Sequence, residues 1–288
     1  MKHDELTNHT RVEVLAQALP YLQKYNGRTI VVKYGGNAMT SEELKLQVME
    51  DIVLLTMVGI KVVLVHGGGP ELSALMQKLG KKPEFIDGLR VTDKETIDIA
   101  QMVLAGRINK SLVNLLQVKG AKAIGLSGMD GRLIEAKIRD PKYGYVGDVT
   151  NINAEVIYTL LDKGFIPVIS TLGCDREGNT YNINGDTGAG RIAAAIGAER
   201  LIMMTDIEGI MYDRNDPDSL IAKLTVAEAE ELMEQRVISG GMIPKVRCCI
   251  DALNDGVGAA VIIDGRVPHA TLMEILTDEG AGTLIVKE

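Results

Sequence analysis

Two glycine-rich segments follow β-branched runs and have the composition of a phosphate site. The first, VVKYGGN at residues 31–37, ends an apolar run in Lys33 and a double glycine. The second, VHGGGP at residues 65–70, places three glycines before Pro70, a residue suited to a first helical turn. Glycine lets backbone N–H groups approach phosphate oxygens, and a helix N-terminus attracts anions. One double glycine alone can be a tight turn, but the pair with a lysine predicts phosphate binding.

A third glycine pair precedes Lys245 in the segment GGMIPKV, residues 240–246. Pro244 again marks the first turn of a helix, so Lys245 stands beside a helix N-terminus. A lysine is unfavourable at the positive end of the helix dipole unless an anion neutralises it. The position therefore indicates an anion contact, and the alternative is a solvated surface lysine.

Polar side chains precede a small-residue helix in the segment YNINGD, residues 181–186. Asn184 has the type and position of an N-cap, and Asp186 those of a first-turn carboxylate. Asp186 is equally suited to orienting cations, because phosphoryl transfer depends on positioned cations and fixed dipoles. The residues alone leave both interpretations open.

Two further charged residues lie beside predicted element ends. Arg90 stands between apolar residues in GLRVT, residues 88–92, where a guanidinium could bind a carboxylate through two parallel hydrogen bonds; a surface arginine is the alternative. Asp206 follows an apolar run at the place where open α/β sheets bind ligands, so it could hold ribose hydroxyls or only cap a turn. For His66 and His269 we favour structural roles over a role as general base.

Composition and absent motifs exclude several classes. The chain lacks the GxxxxGK[ST] and GxGxxG fingerprints, which argues against a P-loop enzyme and a dinucleotide-binding oxidoreductase. A net charge of −8 and a pI near 5.2 argue against nucleic-acid and anionic-membrane partners. The three cysteines have no disulfide or zinc-ligand spacing, and we find neither a signal peptide nor an apolar run of membrane-spanning length. We therefore expect a cytoplasmic protein.

The elements that must position these residues alternate along the chain. Short β-branched runs predict buried parallel strands, and they lie at 29–32, 62–65, 166–169, 201–204 and 260–263. Helical patterns between them begin with capping-box signals, namely Thr40 with Glu43, Thr92 with Glu95 and Thr225 with Glu228. The alternation predicts a doubly wound α/β fold without a flexible linker; two lobes, if present, would share one sheet.

Two segments depart from this alternation. Glycines punctuate residues 121–153, where short alternating segments predict antiparallel hairpins beside a substrate pocket. Residues 10–25 carry Val12, Leu15, Leu19 and Leu22 at helical spacing, interrupted by Pro20. We predict a kinked amphipathic helix that packs either on its own core or on another subunit.

Seven segments together resemble the amino acid kinase family from residue 28 to residue 283. They are VVKYGGNAM, VHGGGP, GLRVT, YNINGD, MTDIEGIM, SGGMIPKVRCCIDAL and IIDGRVPHATLMEILTDEGAGT. GLRVT and NINGD are similar to the members that phosphorylate the γ-carboxylate of N-acetyl-L-glutamate in arginine biosynthesis. The resemblance implies a three-layer αβα sandwich with a mainly parallel central sheet, and the use of ATP with Mg²⁺. The family commonly has alanine where Gly185 stands.

The resemblance also implies roles for individual residues. Lys33 and Lys245 would stabilise charge on the transferred phosphoryl group, and Asp186 would hold both lysines. The residues implied in substrate binding are Gly68, Gly69, Arg90, Asn182 and Asn184. Those implied in phosphate or ATP binding are Gly35, Gly36, Thr205, Asp206, Gly209, Gly241 and Met242. No direct side-chain ligand to a metal is expected.

Regulation and assembly are implied by similarity to arginine-inhibited members. L-Arginine would bind at Tyr25, His269, Glu274 and Gly282, and residues 1–26 would serve oligomerisation and regulation. Residues 27–195 would form the acetylglutamate-binding lobe and residues 196–288 the ATP-binding lobe. A homo-oligomer follows, either a hexamer built as a trimer of dimers or a dimer, and a PII-type regulator is a further expected partner. Family members acting on carbamate, glutamate, aspartate or UMP, and a noncatalytic ATP-binding sensor, remain alternatives.

Overall fold

The structure is a computed structural model that describes residues 7–39, 41–213 and 216–288. Its centre is an eight-stranded sheet with the strand order β12-β14-β13-β11-β1-β2-β8-β5. These strands are β1 Thr29–Tyr34, β2 Lys61–His66, β5 Ala123–Ser127, β8 Ile166–Ser170, β11 Arg200–Thr205, β12 Lys223–Thr225, β13 Ala259–Asp264 and β14 Gly282–Val286. The run from β5 through β8, β2, β1 and β11 to β13 is parallel, and β14 is antiparallel to β13.

The five predicted strands are confirmed, and burial on both faces explains their sequence. In β1, Ile30 and Val32 pack into one apolar core and Val31 into the other, and all are fully buried. β-Branched side chains suit a pleated surface that is covered on both sides. The carboxyl ends of β1, β2 and β11 therefore meet at one edge of the sheet, with β1 between the other two.

Helices cover both faces of the sheet and complete the three layers. On one face α3, α6 and α11 pack over the strands, and on the other face α7, α8 and α10 do. The helices are α1 Asn8–Gln17, α2 Leu19–Tyr25, α3 Glu42–Met57, α4 Gly69–Lys78, α5 Lys94–Gln101, α6 Asn109–Val118, α7 Ala154–Asp162, α8 Gly185–Ala195, α9 Val226–Glu234, α10 Met242–Asn254 and α11 Ala270–Leu276. Short 3₁₀ turns lie at Gly36–Met39, Asp130–Arg132, Pro141–Tyr143 and Pro217–Ser219.

The prediction of hairpins over residues 121–153 is correct for only part of that segment. A four-stranded sheet of order β10-β9-β6-β7 contains the antiparallel pair β6 Ile134–Ile138 and β7 Gly147–Ile152. Its other strands are β9 Leu172–Cys174 and β10 Thr180–Asn182, and a separate hairpin joins β3 Phe85–Ile86 to β4 Leu89–Arg90. Residues 123–127 instead form the edge strand β5 of the central sheet, parallel to β8.

A π-helix, Met102–Ile108, joins α5 directly to α6. π-Helical turns are rare and occur often at functional sites. Leu104 and Ile108 of this turn are buried and face Gly68, where a Cβ atom would overlap both side chains. The glycine at position 68 thus allows the segment before α4 to lie directly against the π-helix.

The N-terminal segment bends at Ala18, so the kinked helix is present as α1 and α2. No residue of α1 is buried, whereas Tyr25 at the end of α2 is. Val12, Leu15 and Leu19 are 64%, 72% and 53% exposed, so most of the predicted apolar stripe does not pack on the chain's own core.

Of the three predicted capping boxes, the one that joins Thr225 and Glu228 is confirmed. Ser41 caps α3 and Asp93 caps α5, each one residue after the threonine we predicted. Thr40 itself lies outside the described residues. No helix in the described ranges has the length and apolarity needed to cross a membrane.

Candidate active site

Two lysines from distant parts of the chain meet at one carboxylate. Lys33 Nζ lies 2.9 Å from Asp186 Oδ1, and Lys245 Nζ donates to Asp186 Oδ2 at 2.7 Å. Lys33 is the last residue but one of β1, Asp186 lies in the first turn of α8, and Lys245 lies in the first turn of α10. The two helix N-termini and the strand end therefore converge, and Lys245 is not a solvated surface lysine.

The charge state of Asp186 follows from this triad. Burial alone would raise the pKa of the carboxyl, but the positive charges of Lys33 and Lys245 outweigh it and lower the pKa to about 2. Asp186 is thus an anion at neutral pH, and the triad carries one net positive charge. A negatively charged ligand placed beside it would be stabilised.

Close packing explains the double glycine after β1. A Cβ atom at Gly35 would overlap the Lys33 ammonium group, so the lysine can fold back over the turn only where that atom is missing. Gly36 has a φ of +72°, and a Cβ atom there would overlap the Asp206 carboxylate. Asp206 therefore lies against this turn, and Thr205 beside it is buried at the end of β11.

A cavity of about 160 Å³ lies next to the triad, and all five residues implied in substrate binding line it. Its walls include the glycines after β2 and the polar residues Arg90, Asn182 and Asn184. Gly185 also lines it, and a Cβ atom at this position would lie 3.7 Å from Lys33 Cε, an ordinary contact. The cavity and the lysines are therefore adjacent, as transfer between two bound ligands requires.

Arg90 is a buried cation in the wall of this cavity. Its side chain donates to Gly69 O at 3.0 Å and Ser73 Oγ at 2.7 Å, and its guanidinium lies 4.8 Å from the Phe85 ring centroid. Burial lowers the pKa of Arg90. Within the described ranges it forms no ion pair, although a buried charge is costly when unpaired. An anionic ligand in the cavity would supply the missing partner.

The two asparagines use their side chains differently. Asn184 Oδ1 accepts from the backbone N–H groups of Asp186 and Thr187, so Asn184 is the N-cap of α8 as well as a wall of the cavity. Asn182 Nδ2 donates to Thr92 Oγ1 at 3.2 Å. The Asn184 amide nitrogen has no hydrogen bond to any described residue and remains a donor for a ligand.

A second cavity, of about 330 Å³, lies beyond the carboxyl end of β11 and has a mainly apolar lining. Gly209, Gly241 and Met242, which the resemblance implies in ATP binding, line it together with Ile210 and Val237, whereas Thr205 and Asp206 do not. An apolar cleft with few polar groups suits a heteroaromatic ring.

Arg266, which sequence reasoning missed, also lines the second cavity and forms two parallel hydrogen bonds to the buried Asp264. A charged residue two positions beyond a buried strand was the available signal.

The residues implied in arginine binding have different partners within the described chain. Arg200 donates to Glu274 Oε1 and to the Tyr25 hydroxyl, both at 2.6 Å, so Tyr25 and Glu274 are joined through a buried guanidinium. His269 instead contacts Asp51 Oδ1 at 2.6 Å. Gly282 packs against the Ile262 carbonyl group.

His66 has no access to either cavity and both its ring nitrogens are occupied, so it is not a general base. Among the described residues no group of three or more His, Cys, Asp or Glu side chains could hold a metal ion.

Comparison with known proteins gives consistent matches. The amino acid kinase family model matches residues 28–264. The acetylglutamate kinase of Trichodesmium erythraeum is 52% identical over 290 residues, which cover 99% of each chain.

Solved structures match as well. The N-acetylglutamate synthase from Neisseria gonorrhoeae complexed with coenzyme A and N-acetyl-glutamate is 27% identical with a TM-score of 0.84. The match covers 96% of this chain and 63% of the synthase chain. The same synthase complexed with coenzyme A and L-arginine gives 25% identity and a TM-score of 0.80, over 96% of this chain and 65% of that one.

Proposed function

Because this chain belongs to the amino acid kinase family, we propose that it transfers the γ-phosphoryl group of ATP to the γ-carboxylate of N-acetyl-L-glutamate. The products are ADP and N-acetyl-L-glutamyl 5-phosphate, an intermediate of arginine biosynthesis. The observation that carries the choice of acceptor is Arg90, a buried guanidinium that has no ion pair in the described chain and lines a cavity beside Lys33. A small carboxylate is the ligand that such a group recognises.

In this proposal the first cavity holds N-acetylglutamate. Arg90 binds a carboxylate of the substrate, and Asn182 and Asn184 contact its polar groups. Gly68 and Gly69 present backbone N–H groups to the anionic end that faces the triad. These roles orient the γ-carboxylate toward the phosphoryl donor, which is the main contribution that alignment makes to catalysis.

ATP occupies the other side of the triad. The apolar second cavity, with Gly209, Gly241 and Met242, suits the base, and Asp206 and Thr205 lie between it and the double glycine of Gly35 and Gly36. Mg²⁺ accompanies the nucleotide and neutralises phosphate charge when it is bound. The lysines supply the remaining positive charge from the protein.

The chemical step needs no proton transfer. A free side-chain carboxyl has a pKa near 4, so the acceptor is already ionised at neutral pH. Its oxygen forms a bond to the γ-phosphorus while the bond from that phosphorus to the β,γ-bridging oxygen breaks, and ADP leaves. Lys33 and Lys245 stabilise the charge that spreads over the transferred group, and Asp186 keeps both ammonium groups in place.

The two cavities lie on either side of the proposed division of the chain. We place the acetylglutamate-binding lobe at residues 27–195 and the ATP-binding lobe at residues 196–288. Lys33 and Asp186 belong to the first and Lys245 to the second. Relative motion of the lobes would therefore change the contact between Lys245 and Asp186.

A turnover assay tests the acceptor. Purified protein with Mg·ATP is offered N-acetyl-L-glutamate, glutamate, aspartate, carbamate and UMP in turn, and ADP release is measured. Of these five acceptors, we expect only N-acetyl-L-glutamate to give efficient release of ADP. Absence of turnover with that acceptor, or faster turnover with another, would overturn the proposal.

Substitution of Arg90 tests the proposed recognition of the acceptor carboxylate by this residue. Arg90→Lys keeps the charge but not the planar pair of donors, and Arg90→Met removes both. Because a hydrogen bond to a charged group contributes about 1.5–3 kcal/mol, we expect the KM for N-acetylglutamate to rise about 10- to 100-fold in Arg90→Met. The KM of Arg90→Lys for N-acetylglutamate should lie between those of Arg90→Met and the unaltered protein.

Feedback by L-arginine is the finer part of the proposal. It is supported by Glu274 and Tyr25, which already bind the guanidinium of Arg200 and so have the chemistry that an arginine ligand needs. His269 and Gly282 complete the proposed site. Inhibition of the initial rate by L-arginine but not L-lysine is expected, and equal rates with and without arginine would exclude it.

Assembly and location complete the proposal. We propose a cytoplasmic homo-oligomer, a hexamer built as a trimer of dimers or a dimer, in which the exposed α1 contacts another subunit. A PII-type protein is a further proposed partner. Analytical ultracentrifugation of the chain alone distinguishes these assemblies.

A further inference from the structure

Asn109, the first residue of α6, is completely buried and joins the ends of three strands. Its Nδ2 donates to Val168 O of β8 at 2.8 Å and to Leu126 O of β5 at 3.1 Å. The same nitrogen lies 3.1 Å from Nε2 of His66, the last residue of β2. One side chain at the end of the π-helix thus fixes β5, β8 and β2 relative to one another.

The hydrogen-bond network determines which atoms carry protons. Lys110 Nζ, which can only donate, lies 3.0 Å from Asn109 Oδ1, and the carbonyl groups of Leu126 and Val168 can only accept. Asn109 Nδ2 has only two protons for these carbonyl groups and His66, and an amide nitrogen does not accept, so a proton on His66 Nε2 would have no acceptor. The imidazole must carry its proton on Nδ1, which donates to Gly67 O at 2.8 Å.

The hydrogen bond from His66 to Gly67 O fixes the orientation of the next peptide group. Gly67 is held on both sides, because its N–H donates to Tyr34 O at 3.3 Å and its carbonyl group accepts from His66. A trans peptide is planar, with C=O and N–H pointing in opposite directions. When the Gly67 carbonyl points at His66, the Gly68 N–H must point away from it. Gly68 lines the first cavity, and its N–H has no partner in the described chain.

Two close approaches indicate that this arrangement depends on its surroundings. A Cβ atom at Gly125 of β5 would overlap Asn109 Oδ1, so the asparagine reaches the strand ends only because residue 125 is glycine. On the other side Gly68 contacts Leu104 and Ile108 of the π-helix. The π-helix therefore sets the position of both the glycine turn and the asparagine behind it.

We infer that Asn109 and His66 are positioning residues that aim the Gly68 N–H at the anionic group in the first cavity. The inference rests on the proposed function, since the anion is the reacting end of the carboxylate substrate or the phosphoryl group that it receives. Neither residue touches a ligand. Their effect passes through the Gly67–Gly68 peptide group.

A matched pair of substitutions at His66 tests the inference. The amide nitrogen in His66→Asn takes the place of Nδ1 and can still donate to Gly67 O, whereas His66→Gln reaches the Nε2 position and leaves that carbonyl without a donor. A misplacement of about 1 Å costs on the order of 10²-fold, so we expect a loss of that order in kcat/KM for His66→Gln and a much smaller one for His66→Asn. Equal losses in the two variants would overturn the inference.

A control substitution on α6, the helix of Asn109, distinguishes a general loss of stability from a loss of positioning. Leu116 is fully buried in α6, away from the glycine turn. Leu116→Val should lower the midpoint of thermal unfolding while kcat/KM at 25 °C stays at the wild-type value. If Leu116→Val loses activity as His66→Gln does, the effect is general destabilisation and the inference is wrong.

A pH profile gives a readout that a purely structural role would not change. In the wild type, burial lowers the His66 pKa to about 4, the bond to Gly67 opposes this, and Lys110 is the charged group that lowers it further. Asn109→Asp places an acceptor at Nε2, which favours a proton there. At low pH the imidazolium still donates from Nδ1, but the neutral ring that forms at higher pH does not. We expect kcat/KM of Asn109→Asp to fall as pH rises from 5 to 8, relative to wild type; a constant ratio contradicts the inference.

Nuclear magnetic resonance distinguishes failure of this inference from failure of the proposed function. The ¹⁵N shifts of His66 in the ligand-free wild type should be those of a neutral ring protonated at Nδ1. This result is independent of any acceptor. A ring protonated at Nε2 overturns the inference even if acetylglutamate is phosphorylated, and absence of turnover overturns the function even if the tautomer is as stated.

Discussion

At the scale of single residues, the site depends on how three charges share a small volume. Asp186 contacts both ammonium groups and is 13% exposed, so its charge is compensated by the lysines rather than by water. Removal of one lysine leaves a triad without net positive charge. The site would then lose its attraction for the phosphoryl group while the remaining ion pair could persist.

Lys245→Met tests whether the positive charge of the triad stabilises the transition state. We expect kcat to fall by on the order of 10²- to 10³-fold, because a cation placed at the developing charge contributes that much in comparable sites. The KM for N-acetylglutamate should change far less, since Lys245 does not line the acceptor cavity. Steady-state kinetics measure both, and Lys223→Met, at an exposed lysine of β12, is the control. A wild-type kcat in Lys245→Met would contradict the assigned role.

Acid stability tests the charge of Asp186. Its pKa is about 2 in the folded chain against 3.8 for the free side chain. The unfolded state therefore binds the proton more strongly, and the stabilisation is complete above pH 4 and is lost as pH falls through about 2. Urea unfolding followed by circular dichroism between pH 2 and 5 should show this loss. Asp186→Asn should have a shallower pH dependence over the same interval; an unchanged slope would count against the lowered pKa.

At the scale of elements, helix starts place the chemistry, and α8 is the clearest case. Gly185 and Gly188 both lie in its first turns but differ in their surroundings. A Cβ atom at Gly185 would have only ordinary contacts, whereas one at Gly188 would lie 2.9 Å from Thr171 Cγ2. Neither has a positive φ, so space decides the outcome of substitution.

Gly185→Ala should stabilise the protein by about 0.4–1 kcal/mol, because alanine reduces the freedom of the unfolded chain. Gly188→Ala should destabilise it by about 1–3 kcal/mol through overpacking. Chemical denaturation of both variants gives the two values. Turnover should be retained in Gly185→Ala, and destabilisation there would mean that glycine is required at the head of α8.

The elements also show which features the sequence could predict. The central strands were predictable because burial on both faces leaves continuous β-branched runs. Strand β5, AIGLS, has a glycine at its centre and intermediate burial, so it resembles the hairpins that follow it. Its glycine is explained by side chains of α6, since a Cβ atom at Gly125 would overlap Asn109 and crowd Lys110 and Val113. Cap positions were off by one where a threonine precedes Ser41 or Asp93, since each residue in such a pair can cap a helix.

The site was predictable to the extent that its residues lie next to glycines or strand ends. The lysines, Asp186 and Arg90 all satisfy this condition, and their convergence confirms that the motifs lie together. The link from His66 to Asn109 was not predictable, because it is a contact between residues distant in sequence. Arg266 contacts Asp264, two positions before it, so its only sequence signal was a charged residue shortly after a buried strand. The contacts of Arg200 with Glu274 and Tyr25 also join residues distant in sequence and were not predictable.

At the scale of the whole molecule, the N-terminal segment divides into two parts with different roles. α1 buries no residue, whereas α2 ends in Tyr25, which is 2% exposed and accepts from Arg200. Asn26 continues this attachment by donating to Val58 O. A deletion that removes both parts would therefore change the fold as well as any assembly.

We expect deletion of residues 1–18 to leave thermal stability and initial rate near wild type and to reduce the sedimentation coefficient if α1 joins subunits. Deletion of residues 1–26 should lower the unfolding temperature, because the buried Arg200 loses the Tyr25 hydroxyl as an acceptor. Ultracentrifugation and thermal unfolding of the two truncations measure these effects. An unchanged assembly after the shorter deletion would remove α1 from the proposed interface.

The place of β1 in the sheet has a consequence for how the protein is made. β1 pairs with β2 on one side, but its other neighbour, β11, begins at Arg200, and Lys33 is opposite Met203. During synthesis one edge of β1 therefore stays unpaired while more than half of the chain emerges from the ribosome. Such an edge is a template for wrong partners. The contact of Lys245 with Asp186 forms later still, so the proposed catalytic triad is complete only after residue 245 has been synthesised.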